Sequence, residues 1–149
     1  MAEILFYHLT ESTLEEALPG LLEKSLERGW KAVVQTATEE RRDALDQHLW
    51  TFRDDSFLAH ATDREAHPAD QPVLLTTGQA NGNAAEIRFI VEGAAPPSLD
   101  TYQRAVFLFD GHDEQQLANA REQWQRLKAG DHQVTYWQQT PERRWERKA

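Results

Sequence analysis

The 149-residue sequence has no cysteine and no long apolar run, and each absence excludes a class of protein. Without cysteine the chain forms no disulfide, has no thiolate nucleophile and builds no cysteine-ligated zinc site. No stretch approaches the roughly 18 apolar residues of a membrane-spanning helix. The N-terminus begins with an acid, Glu3, whereas a secretory signal begins with basic residues. We therefore expect a cytoplasmic protein that does not interact with a membrane.

Positive charge is scarce as well, since 25 acidic residues outnumber 16 basic ones and the net charge is -9. An acidic protein repels the phosphate backbone, so the chain is predicted to reach DNA only indirectly. Segment 143–148 is an exception, because it has four basic residues and one acidic residue. Such a local basic patch can attract an acidic peptide.

Motifs for nucleotide binding and catalysis are missing too. The turn after the first predicted strand, His8-Leu9-Thr10-Glu11, has no glycine, and neither the dinucleotide fingerprint nor a phosphate-binding loop occurs. The six histidines include no pair at metal-ligand spacing, and we expect them to be exposed. Adjacent acids, as at Asp54 and Asp55, are typical of a solvated turn. The sequence thus predicts no enzyme of its own, no metal site and no cofactor.

What the sequence does contain is an alternation of short apolar runs with amphipathic segments. The apolar runs predict strands that are buried on both faces, and leucines at helical spacing predict helices between them. This order predicts an α/β fold with one doubly wound, mostly parallel sheet and helices on both faces. The six predicted strands lie near residues 4–7, 31–36, 73–76, 87–91, 105–109 and 134–137.

Several local features complete this prediction. Residues 51–71 have no clear period and indicate an irregular connection around Phe57. Residues 141–149 are charged and indicate a flexible tail, which leaves residues 1–140 as the folded domain. In the first helix, Ser12 and Glu15 have capping-box spacing. Pro19 predicts a kink there, or a helix that begins near Pro19.

Five tryptophans are many for so short a chain, and they have two interpretations. Each can belong to the core, but tryptophan and arginine together are typical of peptide-binding hot spots. Arg121 lies four residues after Leu117 and three before Trp124, on the border of the apolar stripe of the last helix. From spacing alone, Arg121 either covers the core edge with its stem or presents its guanidinium to a carboxylate.

Residues 45–60, LDQHLWTFRDDSFLAH, resemble a conserved segment of the chi subunit of bacterial DNA polymerase III holoenzyme. The stretch AREQW at 120–124, followed by KAG at 128–130, resembles the last-helix motif of the same family. Phe6-Tyr7 and Gly29-Trp30 agree with its first two strands. Two departures are Ala59, where the family has proline, and a C-terminal segment that runs past the usual end.

The resemblance implies a nucleotide-binding-like fold without nucleotide activity. It implies a non-catalytic accessory subunit of the clamp-loader assembly, monomeric alone, that links the replicative polymerase to single-stranded DNA-binding protein. The expected partners are the acidic C-terminal tail of that protein and, where one exists, the psi subunit. Arg121 matches the family's tail-binding arginine, and Phe109, Trp124 and Lys128 are expected beside it. The remaining expected site residues are Trp50 and Phe57, which match family positions on another surface. There they either bind psi or pack in the core.

Two alternatives from other functional classes stay open at this point. One is a nucleotide- or small-molecule-dependent enzyme on the same fold, which nucleotides would stabilise against heat. The other is a direct single-stranded nucleic-acid binder that uses the basic tail, with binding that falls steeply with salt.

Overall fold

The computed structural model describes residues 2–51, 60–63 and 68–149. In these ranges the chain forms one sheet of eight strands and three α-helices. The helices are α1 (Leu14–Glu27), α2 (Glu39–Thr51) and α3 (Glu114–Lys128), and a 3-10 turn spans Pro68–Asp70. The strands are β1 (Glu3–Leu9), β2 (Ala32–Gln35), β3 (Ala61–Thr62), β4 (Val73–Thr76), β5 (Ile87–Val91), β6 (Arg104–Asp110), β7 (Gln133–Gln139) and β8 (Trp145–Arg147).

The strand order is β3-β4-β2-β5-β6-β1-β7-β8, and all neighbours are parallel except the antiparallel pair β7–β8. The predicted α/β fold with a mostly parallel sheet is therefore confirmed. Helices α1 and α2 cover one face, here called the α1 face, where Leu18 and Leu45 are buried with Leu5. Helix α3 covers the other, the α3 face, where Ala120 is buried with Phe6. No helix in the described ranges is long and apolar enough to cross a membrane.

Beside strand β1, the connections between strands switch from one face of the sheet to the other. It lies between β6 and β7, and it leads to α1 on one face while β6 leads to α3 on the other. The carboxyl ends of β1 and β6 therefore border a crevice, which is where proteins of this topology bind ligands. A cavity of about 460 Å³ lies there, between the β1–α1 turn and the β6–α3 turn.

The structure adds two strands to the six that were predicted. The two-residue strand β3 lies in the segment predicted as irregular, and a strand so short leaves no periodic signal. Strand β8 lies in residues 141–149, which charge alone assigned to a flexible tail. A turn closed by the Thr140 amide on the Arg144 carbonyl (2.8 Å) returns the chain to β7. The Trp145 ring then stacks on Tyr7 with centroids 4.4 Å apart.

Helix α1 begins one residue later than the predicted capping box and continues through Pro19. Thr13 is the N-cap, and its hydroxyl and the Glu16 carboxylate form the reciprocal pair of hydrogen bonds. Pro19 has no amide hydrogen, so it cannot donate to the Glu15 carbonyl four residues earlier. His48 on α2 supplies the missing donor, with Nε2 2.7 Å from the Glu15 carbonyl oxygen. A contact between helices thus replaces the bond that Pro19 removes.

We expect His48→Ala to lower the free energy of unfolding by about 1 kcal/mol, because the Glu15 carbonyl loses its donor. In a Pro19→Ala background, an amide hydrogen at residue 19 can serve that carbonyl, so the same substitution should cost less. Urea unfolding of the four proteins in this double-mutant cycle measures the difference. Equal costs in both backgrounds would contradict the proposed compensation.

Candidate functional site

Helix α3 presents its cations because its start is fixed by the preceding turn. The N-cap Asp113 accepts the Gln115 and Gln116 amides at 3.0 Å each. The helix then buries Ala120 and Leu127 against the sheet, at 3% and 5% exposure. The next residue after each of these is exposed, and it is Arg121 in one case and Lys128 in the other.

Trp124 lies between these two cations and is half-buried. Its ring packs edge-on against Phe6 and Tyr136, with centroids 5.6 Å apart in both pairs. The Lys128 ammonium lies 5.1 Å from the indole centroid, within the range of a cation–π contact. We call Arg121, Trp124, Lys128 and Tyr136 the α3 patch. It combines an anchored apolar surface with two positive charges.

Arg121 acts on two side chains that the sequence did not single out. The Tyr136 hydroxyl oxygen lies 2.9 Å from Nδ1 of His8, which joins β7 to the end of β1. Burial lowers the pKa of His8, and electrostatic interactions with His112 and Arg121 lower it further. Burial raises the pKa of Tyr136, while Arg121 opposes that rise. Both groups are therefore neutral at pH 7, and Arg121 supplies the positive charge at this edge of the patch.

Neither cation of the α3 patch is neutralised by the protein itself in the parts of the chain that the structure describes. No described carboxylate forms an ion pair with Arg121 or Lys128. Arg126, also on α3, instead donates to the Gln123 amide oxygen at 3.1 and 2.6 Å. The α3 patch can therefore accept carboxylates without first breaking an internal ion pair.

Phe109 lies below the α3 patch and contributes little surface to it. Its side chain is 3% exposed, stacks on His8 at 5.1 Å and contacts Tyr136 at 6.0 Å. A ligand would thus meet His8 and Tyr136 first, with Phe109 supporting them. Gly111 allows His8 to pack closely against the backbone that follows β6, because a Cβ at residue 111 would lie 2.0 Å from Nε2 of His8.

The second predicted surface lies on the opposite face of the sheet. Trp50, at the end of α2, is 50% exposed, and its ring centroid lies 4.4 Å from that of His60. His60 is buried, contrary to the expectation that the histidines are exposed, and its Nε2 lies 3.1 Å from the Asp46 carbonyl oxygen. Phe57 lies outside the described residues. Trp50 and Arg121 therefore lie on helices that cover opposite faces of the sheet.

The crevice at the ends of β1 and β6 contains a feature that no sequence motif indicated. Gln139 Oε1 accepts three consecutive backbone amides of the β1–α1 turn, from Thr10, Glu11 and Ser12, at 3.3, 3.1 and 3.0 Å. Its Nε2 donates to the Ser12 hydroxyl at 3.0 Å. Successive amides that converge in this way are typical of anion-binding loops. Here a side chain of the same protein satisfies them.

The sequence profile of the family described as "DNA polymerase III chi subunit, HolC" matches residues 1–135. The chain belongs to this family. The resemblance noted in the sequence is thereby confirmed.

Individual chi sequences agree over shorter stretches. The chain is 28% identical over 91 residues to the probable DNA polymerase III subunit chi of Rickettsia prowazekii, covering 61% of this chain and 55% of that protein. It is 31% identical over 88 residues to the DNA polymerase III subunit chi of Pseudomonas aeruginosa, covering 59% and 61%. The matched regions thus span less than two thirds of either relative.

One solved structure shares the fold of this chain. The C-terminal domain of Saccharomyces cerevisiae Dbp5, solved bound to Gle1 and IP6, superposes with a TM-score of 0.56 over 91% of this chain and 90% of that chain. The two sequences are 13% identical, so the likeness concerns the fold alone. A shared fold does not imply a shared function, which depends on the surfaces of each protein.

Proposed function

We propose that this protein is a non-catalytic accessory subunit of DNA polymerase III that binds the acidic C-terminal tail of single-stranded DNA-binding protein. In this role it links the clamp-loader assembly to coated DNA in the cytoplasm. Family membership supports a place in the polymerase. The observation that carries the proposal is the α3 patch, in which Arg121 and Lys128 lie beside the half-buried ring of Trp124.

The chemistry of the patch suits a peptide that is acidic and ends in an aromatic residue. An apolar end group packs on Trp124 and Tyr136, whose rings are held edge to face and lose little freedom on binding. The guanidinium of Arg121 can form two parallel hydrogen bonds to a carboxylate, and Lys128 adds a second charge. Since several tails project from one coated strand, weak single contacts gain strength through multivalency.

A second partner fits the Trp50 surface. We propose that this exposed ring contributes to binding of the psi subunit, because exposed tryptophans are frequent interface anchors. Trp50 is on α2 and Arg121 is on α3, so the two partners approach opposite faces of the sheet. A protein that is monomeric alone can then bridge them.

The crevice supports a role that does not involve a nucleotide. A phosphate that approached the β1–α1 turn would have to displace the Gln139 amide from three hydrogen bonds. Heating the protein with nucleotides checks this point, since specific binding would raise Tm.

The proposal predicts that Arg121→Ala weakens binding of an acidic, phenylalanine-ended peptide at least tenfold, about 1.4 kcal/mol. The reason is the loss of a charge-assisted hydrogen bond to a carboxylate. Titration followed by tryptophan fluorescence, with wild-type affinity expected in the micromolar range of about -8 kcal/mol, makes the measurement. Arg126→Ala removes an equal charge from the same helix and should change the affinity less than twofold.

The possible results separate the role from the site. Absence of binding by the wild type at low salt would contradict the tethering role. Equal binding by wild type and Arg121→Ala would keep the role but place the site elsewhere. An equal loss in Arg121→Ala and Arg126→Ala would indicate attraction by overall charge rather than a defined site.

A further inference from the structure

A second cluster of aromatic rings and cations lies on the α1 face, away from the α3 patch. Tyr7 and Trp145 stack with centroids 4.4 Å apart and an interplanar angle of 19°. Trp137 meets Tyr7 edge-on at 6.5 Å. The three strands that carry these residues are adjacent, so their rings form a continuous platform at one side of the sheet.

Cations lie beside this platform and around a further ring, that of Trp30. Two guanidinium carbons lie over the Trp30 ring, that of Arg28 at 5.2 Å and that of Arg104 at 5.4 Å from the centroid. The β7–β8 register places Arg147 opposite Trp137, on the same face. The platform therefore lies in a locally positive region of an otherwise acidic protein.

A small cavity joins the rings to the cations. Its volume is about 190 Å³, and Tyr7 and Trp145 line it together with Lys24, Arg28 and Arg104. This volume is below the roughly 300 Å³ of the smallest pockets for drug-sized ligands, so it admits one ring system rather than a whole cofactor. An exposed cationic rim beside a pocket for a planar ring suits a ligand with both flat rings and negative charge.

The charges at the rim differ in how far they are engaged. Arg104 pairs with Glu3, Nε to Oε1, at 2.5 Å. Lys24 and Arg28 are exposed, and neither forms an ion pair with a carboxylate in residues 2–51, 60–63 and 68–149. Two cations at the end of α1 are thus available to an anion from outside.

We infer that this cluster is a contact site for single-stranded nucleic acid, with an unpaired base in the cavity and the neighbouring phosphates on Lys24 and Arg28. Stacking platforms combined with cations that follow the backbone are the usual means of binding single strands without sequence preference. Duplex DNA is disfavoured, because its bases are not free to stack and the net charge of -9 repels its denser phosphates.

This site goes beyond the proposed tethering function and does not depend on it. It lies on the α1 face, whereas Arg121 projects from α3 on the other face. One molecule can therefore hold the protein tail and bare DNA at the same time. It also differs from binding by the basic C-terminal segment alone, since Lys24 and Arg28 belong to α1 and its cap.

The test is a fluorescence titration of the full-length protein with oligothymidylate of 12 nucleotides at low salt. We expect a dissociation constant in the range of about 1–100 μM, as for other non-specific contacts. Lys24→Ala/Arg28→Ala should weaken binding at least fivefold. The control Arg126→Ala/Arg144→Ala removes the same charge from exposed positions outside the cavity and should change binding less than twofold.

Two further arms examine the base and the competing ligand. An abasic oligomer with equal phosphates should bind the wild type at least threefold more weakly, and Arg121→Ala should bind oligothymidylate as the wild type does. The inference is overturned by absence of oligomer binding, by equal losses in both double variants, or by equal binding of the abasic strand. It is also overturned if Lys24→Ala/Arg28→Ala loses affinity for an acidic phenylalanine-ended peptide but not for DNA.

Discussion

Replacing Arg88 with methionine is expected to lower the free energy of unfolding by about 3 kcal/mol or more. Arg88 is the second residue of β5 and is fully buried, at 0% exposure. Its guanidinium donates to Gln35 Oε1 at 3.1 and 2.8 Å, to Tyr102 Oη at 2.9 Å and to the carbonyls of Gly78 at 2.7 Å and Ala80 at 3.2 Å. Methionine has similar length but would leave these acceptors without donors.

Burial lowers the pKa of the Arg88 guanidinium, and Tyr102 partly offsets that effect. Arginine stays charged in proteins, so its hydrogen bonds must balance the cost of removing that charge from water. Tyr102→Phe removes a single partner and should cost about 1 kcal/mol. Urea unfolding of the three proteins makes the comparison. A methionine variant as stable as the wild type would contradict this prediction. The free-energy cost of desolvating the Arg88 guanidinium would then equal the free energy gained from all its hydrogen bonds.

Gln139→Ala should lower the free energy of unfolding by about 2–3 kcal/mol, the second largest effect we expect. The substitution leaves the amides of Thr10, Glu11 and Ser12 without their shared acceptor. Of the polar links between residues 10–12 and Gln139, the substitution keeps the bond from the Thr10 hydroxyl to the backbone carbonyl of residue 139, at 3.1 Å. Because the β1–α1 turn borders the crevice, water can partly replace the lost acceptor, which limits the loss.

Gln139→Glu is the matched control, since a carboxylate oxygen can accept the same three amides. Those hydrogen bonds should depress the pKa of the new carboxyl in the folded protein below the ordinary value of about 4.3. When the folded pKa of a carboxyl is depressed, the added stability is fully present above the unfolded pKa. It is lost as the pH falls through the folded pKa. The glutamate variant should therefore approach wild-type stability at pH 7 and fall behind it near pH 3. Unfolding curves at the two pH values measure this, and a pH-independent difference would contradict the role of the amides.

Much of the fold could be predicted because its strands and helices have local signals. The run at residues 87–91 predicts a strand, and residues 117, 120, 124 and 127 mark the buried side of α3. Two strands escaped prediction for opposite reasons. Strand β3 has only two residues, and β8 has a charged sequence whose place is set by Trp145 packing on Tyr7.

The candidate site, like the fold, could be predicted only in part. Spacing placed Arg121 at the border of the apolar stripe, and the family resemblance added Trp124 and Lys128. Neither the spacing nor the resemblance indicated that Tyr136 and His8 belong to the site. These residues are 128 apart in sequence and meet only because β7 lies beside β1. Tyr136 had a place in a predicted strand but no sign of its partner.

The sequence by itself determined the class of fold, the acidic character of the protein and its membership of the chi family, since each depends on composition or on residues near one another in the chain. The tertiary structure decided the rest. In the sequence, Arg88 is a charged residue within a predicted strand. Only the sheet order shows that it is buried with Gln35 of the neighbouring strand. Gln139 reads as a polar strand residue, and only the β1–β7 pairing brings it to the β1–α1 turn. The physical reason is that periodicity reports which side of an element is buried, whereas partners for buried polar groups come from elements distant in sequence.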